Sequence, residues 1–99
     1  MGIRSRSSAG GAQFGLAVST SVVTLTVPRA AMVAELYVRT APVVFTRDGT
    51  DPTATKGVQA NVGDIIILNS RDALDRFEVI RKSGTDAALD IEYFTDVSG

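Results

Sequence analysis

Apolar and polar residues alternate along this chain in short runs separated by turn-forming residues, and no stretch of about twelve residues carries the 3.6-residue period of an amphipathic helix. Val22-Val23-Thr24-Leu25-Thr26-Val27 places Val23, Leu25 and Val27 on one face, and Pro28, which has no N–H to donate, ends the run or confines it to an edge. Ala34 to Arg39 alternates cleanly, with Leu36 and Val38 inward and Glu35, Tyr37 and Arg39 outward. Val43 to Thr46 follows Ala41-Pro42 so closely that a bend or hairpin is expected between them. Further strands are predicted at Val58–Ala60, Ile65–Leu68, Phe77–Arg81 and Leu89–Phe94, the last with Leu89, Ile91 and Tyr93 inward. Ile65-Ile66-Ile67-Leu68 is unbroken in its apolarity, as in strands covered on both faces.

Between these runs lie turn signals. Residues 47–57 are dense in Asp, Gly, Pro and Thr and predict a long loop; Asn61-Val62-Gly63-Asp64 and Ser83-Gly84-Thr85-Asp86 predict turns. Ser70 followed by Arg71 to Arg76 predicts one capped helical turn with Leu74 inward. About seven short strands at spacings of ~8–12 residues predict a single antiparallel β-sandwich or small barrel. Residues 1–18 are rich in Gly, Ser and Ala without a sustained period and read as a flexible N-terminal arm, leaving residues 19–99 as the sandwich domain.

The chain of 99 residues has neither Cys nor His, which removes disulfides, thiol nucleophiles, imidazole bases and zinc sites built on those residues. Arg4 and Arg6 resemble the start of a secretory signal, yet no apolar run follows them, so no targeting segment is read. No run is long enough for a membrane-spanning helix. A formal net charge of −1 and widely scattered aromatics speak against a nucleic-acid interface.

Carboxylates are the remaining acid–base candidates. Asp48 and Asp51 share the long loop, and Asp90 and Glu92 share one face of a strand; turn chemistry and a solvated strand face account for them better than catalysis does. Asp48, Thr50 and Asp51 offer oxygen ligands, but their spacing does not follow the EF-hand pattern, and Gly10-Gly11 lacks the lysine of a phosphate loop. No cofactor or metal is expected. Charge is unevenly laid out: residues 1–34 hold Arg4, Arg6 and Arg29 with no acid, whereas residues 83–99 hold Asp86, Asp90, Glu92 and Asp96 with no base. Opposite ends of this kind steer association, and apolar anchors supply affinity. The candidate contact residues are Arg4, Arg6, Phe14, Leu16, Val18, Ile66 and Leu68, with Arg47, Asp48 and Asp51 as loop candidates.

The order of features over residues 20–94 resembles the small all-β virion proteins encoded among the head genes of tailed bacteriophages. The residues that carry the resemblance are Val27-Pro28, the stretch Val43-Val44-Phe45-Thr46-Arg47-Asp48-Gly49-Thr50-Asp51-Pro52-Thr53-Ala54-Thr55-Lys56-Gly57, Gly63-Asp64 before an apolar strand, Asp72 to Arg81, and Leu89 to Phe94. The resemblance implies a non-enzymatic structural protein, in first place a capsid decoration or cement protein on the outer surface of the virion, made in the bacterial host cytoplasm. Its implied partners are the major capsid protein of the same phage and further copies of the chain, with a trimer the form that a local threefold point admits. A neck or tail adaptor, or a carbohydrate-binding sandwich using the loop at 47–55, are the alternatives. On this reading, removing residues 1–18 abolishes shell binding and leaves the domain folded.

Overall fold

Two antiparallel sheets enclose a core of aliphatic and aromatic side chains drawn from alternate positions of nearly every strand. The computed structural model describes residues 8–95. In chain order the elements are β1 (Ser8–Val18), β2 (Val33–Arg39), β3 (Val43–Thr46), β4 (Val58–Ala60), β5 (Ile65–Leu68), α1 (Arg71–Arg76), β6 (Glu78–Arg81) and β7 (Ala87–Phe94). One sheet has the order β1-β7-β2-β5 and the other β4-β3-β6; they face each other as a sandwich and do not close into a barrel.

The alternation read from sequence sets which side chains enter the core. Leu36 and Val38 of β2 and Leu89, Ile91 and Tyr93 of β7 are buried, as period-2 patterning requires of a sheet with one wet face. From the facing sheet come Val43, Phe45 and Val79, and Phe77 at the end of α1 stacks on Phe45 with ring centroids 5.6 Å apart. Ser70 caps α1, its Oγ accepting the Ala73 N–H at 3.1 Å, and this turn drives Leu74 into the core. Between β2 and β3 the chain bends instead of forming a hairpin: Thr40, at φ 75°, carries it from one sheet to the other.

Three expectations are corrected. Residues 8–18 are not an arm; they form β1, paired along β7 from Ser8↔Phe94 to Val18↔Ala87. The domain therefore begins before residue 19, and residues 1–7 lie outside the described residues. Two register breaks, between Ser8 and Ala12 and between Gln13 and Leu16, explain why β1 is hard to read. A bulge inserts a residue and switches the parity of the inward face: Gln13 points in before the second break, Leu16 and Val18 after it, with Gly15 at φ 70° between them.

Residues 22–27 are not a strand in a sheet. Only Val23 pairs, exchanging both backbone hydrogen bonds with Val79, while Val23, Leu25 and Val27 pack half-buried as a cover over the seam between β1 and β6. Arg71 pins the end of this cover by donating to the carbonyls of Pro28, Arg29 and Ala31 at 2.8–3.1 Å. Third, β5 is covered on one face only: Ile66 and Leu68 are buried, whereas Ile65 and Ile67 are 53% and 48% exposed.

Tyr93 links core and edge by donating its hydroxyl to Gln13 Oε1, and Gln13 Oε1 also accepts the Thr26 N–H. Burial pushes the Tyr93 hydroxyl up to about 12. The folded state thus keeps this proton more tightly than the unfolded chain, whose tyrosines titrate near 10. The stabilising contribution is complete below pH 10 and declines as pH rises from 10 toward 12. Thermal melts across that interval are expected to show a falling midpoint, with a shallower fall in Tyr93→Phe.

Candidate functional site

The β4–β5 side of the sandwich gathers exposed apolar residues. Val58 on β4, Val62 in the connecting turn, and Ile65 and Ile67 on β5 are each about half exposed, and together they are four of the seven large hydrophobic side chains exposed among the described residues. The 61–64 turn sets their geometry. Asp64 N–H donates to the Asn61 carbonyl at 2.9 Å, Asn61 N–H donates to Asp64 Oδ2 at 2.8 Å, and Gly63 sits at φ 93°, where a side chain is disfavoured. This turn joins two strands of different sheets, so β4 and β5 stand as neighbouring edges with a groove of about 310 Å³ between them, floored by Phe45 and Ala60.

The same groove runs on toward the long loop, where Thr46, Arg47, Asp48, Thr50, Lys56 and Gly57 line a further space of about 410 Å³. The loop is braced from within. Thr50 N–H donates to Asp48 Oδ1 at 3.0 Å and holds the Asp48 carboxyl below the usual carboxylate range. Thr53 and Lys56 exchange backbone hydrogen bonds, and Lys82 Nζ donates to the Ala54 carbonyl at 2.6 Å. Gly57, at φ 127°, lies so close to β3 that a Cβ would meet Val44 Cγ1 at 2.7 Å and the Phe45 carbonyl at 2.8 Å. Arg47 rests its guanidinium 5.6 Å over the Phe45 ring.

Of the residues chosen from sequence, Phe14 is 71% exposed on edge strand β1, Leu16 packs against the core and Val18 is fully buried. Ile66 and Leu68 are core residues, so the free side chains of that strand are their neighbours Ile65 and Ile67. Taking the whole run as one surface concealed a choice that alternation makes: even positions face in and odd positions face out. Arg4 and Arg6 lie outside the described residues. Of the C-terminal acids, Asp86 pairs with Arg81 at 2.6 Å and Asp90 with Arg39 at 3.1 Å, so those two charges are met within the fold. Asp96 lies outside the described residues.

Glu78 was not legible as a partner of the loop. Its position on β6, opposite Thr46, brings it to Asp51. The hydrogen bond with Asp51, then burial, holds the Glu78 carboxyl above its usual range, and its Oε1 is buried with no hydrogen-bond partner among the described residues. Glu78 on the sheet thus lies beside Asp51 of the loop. Among the described residues no three acidic side chains gather in a metal-holding arrangement, and no helix is long and apolar enough to cross a membrane. The chain matches no family model, no curated protein and no solved structure.

Proposed function

We propose that this chain is a non-enzymatic structural protein of a tailed-bacteriophage virion, a capsid decoration or cement protein that binds the outside of the shell and stabilises it. The observation that carries the reading is the concentration of half-exposed Val58, Val62, Ile65 and Ile67 along one side of a small braced sandwich. Apolar side chains gathered in this way offer a surface for a protein partner. The resemblance of the 43–57 stretch and the 72–81 stretch to small head-gene proteins supplies the identity of that partner, the major capsid protein of the same phage. The braced loop agrees with the role, since a shell plug works as a rigid body and loses little conformational freedom on docking.

The test is addition of the purified chain to expanded capsids that lack it. The expected result is saturable binding and a higher rupture temperature, both reduced in Val58→Ala/Val62→Ala, whose half-exposed side chains belong to that surface and lie outside the buried core. Densitometry of virions distinguishes the stations in the particle: copies in the number of the capsid subunits fit cement, and a single ring's worth fits a neck or tail adaptor. No binding to capsids at any stage of expansion would overturn the reading.

A further inference from the structure

The two seams of the sandwich are finished differently. On the side of β1 and β6, residues 19–27 lie along β6, with Val23 bonded both ways to Val79 and the Arg81 N–H donating to the Ser19 carbonyl at 3.0 Å. On the side of β4 and β5 no segment of the described residues plays that part.

The hydrogen-bond phase of β5 shows what its edge presents. Val38 N–H donates to the Asp64 carbonyl and Val38 accepts from Gly63, so Val38 and the Gly63-Asp64 bulge form a bonded position. Antiparallel ladders alternate, which makes Leu36↔Ile66 and Ala34↔Leu68 the next bonded pairs. The N–H and C=O groups of Ile65 and Ile67 therefore point away from β2 to the open edge, and no group among the described residues hydrogen-bonds to them. Edges of this kind are ordinarily blunted by a proline, a lysine or an inward charge; β5 itself, four residues of Ile and Leu, contains none.

We infer that β5 pairs with β5 of a second copy across a two-fold axis at Ile66, joining two four-stranded sheets into one of eight strands. The register is self-matching. With Ile66 opposite its counterpart, Ile65 of each copy exchanges both backbone hydrogen bonds with Ile67 of the other, and the exposed isoleucines meet across the seam in one apolar row. The charges match as well. The turn end of the groove carries Asp64 and the loop end carries Arg47 and Lys56, with Asp48 turned back onto the Thr50 N–H. An antiparallel two-fold sets the acidic end of one copy beside the basic end of the other, which is the isologous arrangement a dimer requires.

The dimer deepens the structural reading above and rests on it for its purpose, not for its geometry, so it is tested on the purified chain without capsids. Sedimentation equilibrium is expected to give twice the chain mass. The variants Ile65→Lys/Ile67→Lys and Ile65→Glu/Ile67→Glu, altered only at exposed positions, are expected to keep the circular dichroism of the parent and to dissociate at least ~100-fold more readily, because the axis doubles every change. Mixing the two variants is expected to restore pairs, each containing one copy of both. A monomer at all accessible concentrations, a trimer, or a dimer indifferent to both variants would overturn the proposal, whereas loss of capsid binding by a chain that still dimerises would count only against the virion reading.

Discussion

Phe77→Ala is expected to lower the unfolding free energy by about 3–5 kcal/mol, the range for removing a buried aromatic ring from a packed core. Phe77 is fully buried, stacks on Phe45, and stands where α1 hands the chain to β6, so the lost volume opens a cavity between the sheets at a point the backbone is not free to close. A domain of this length has a total stability of roughly 5–15 kcal/mol, so the variant retains at best a fraction of it. Urea titration followed by circular dichroism measures the effect: the midpoint should fall sharply with an unchanged slope. A shift under 1 kcal/mol would mean that the aromatic pair is not the centre of the core.

Removing residues 1–18 is expected to unfold the protein. This reverses the outcome that the sequence pattern alone suggests. Loss of β1 strips β7 of a partner along its whole length, removes fully buried Val18 and half-buried Leu16, and takes away Gln13, the acceptor of the buried Tyr93 hydroxyl. Any one of these changes is costly; together they exceed what so small a domain has in reserve. The truncated chain should show neither a cooperative thermal transition nor dispersed amide resonances. A folded truncation would show that β1 is dispensable.

The contrast between β1 and β7 marks where sequence reading succeeds and fails. In β7 each residue keeps strict parity, so Leu89, Ile91 and Tyr93 could be assigned to the core without any knowledge of the neighbours. In β1 the register breaks twice and the second break switches parity, and small residues carry the strand through hydrogen bonds to β7 in place of side-chain packing. Residues 22–27 err in the opposite direction. Their alternation is real, and it does put Val23, Leu25 and Val27 toward the core, but alternation reports a covered face and says nothing of whether a ladder exists. The braced loop at 47–57 and the turn at 61–64 were legible because Asp, Asn and Gly act there through local bonds and positive φ. The Glu78–Asp51 pair was not, because it depends on how β6 lies beside β3 and on where the loop returns.

The strand order β1-β7-β2-β5 has a consequence for how the protein is born. Its second position belongs to the strand made last among those described, and both neighbours, β1 and β2, must wait for it. A nascent chain holds β1 and the β7-facing edge of β2 unpaired until β7 (Ala87–Phe94) has been made. Translation thus sets the earliest moment at which the four-stranded sheet forms, and a stalled or prematurely released product that lacks β7 can hold only the β2–β5 pair of that sheet, with β1 left without its partner.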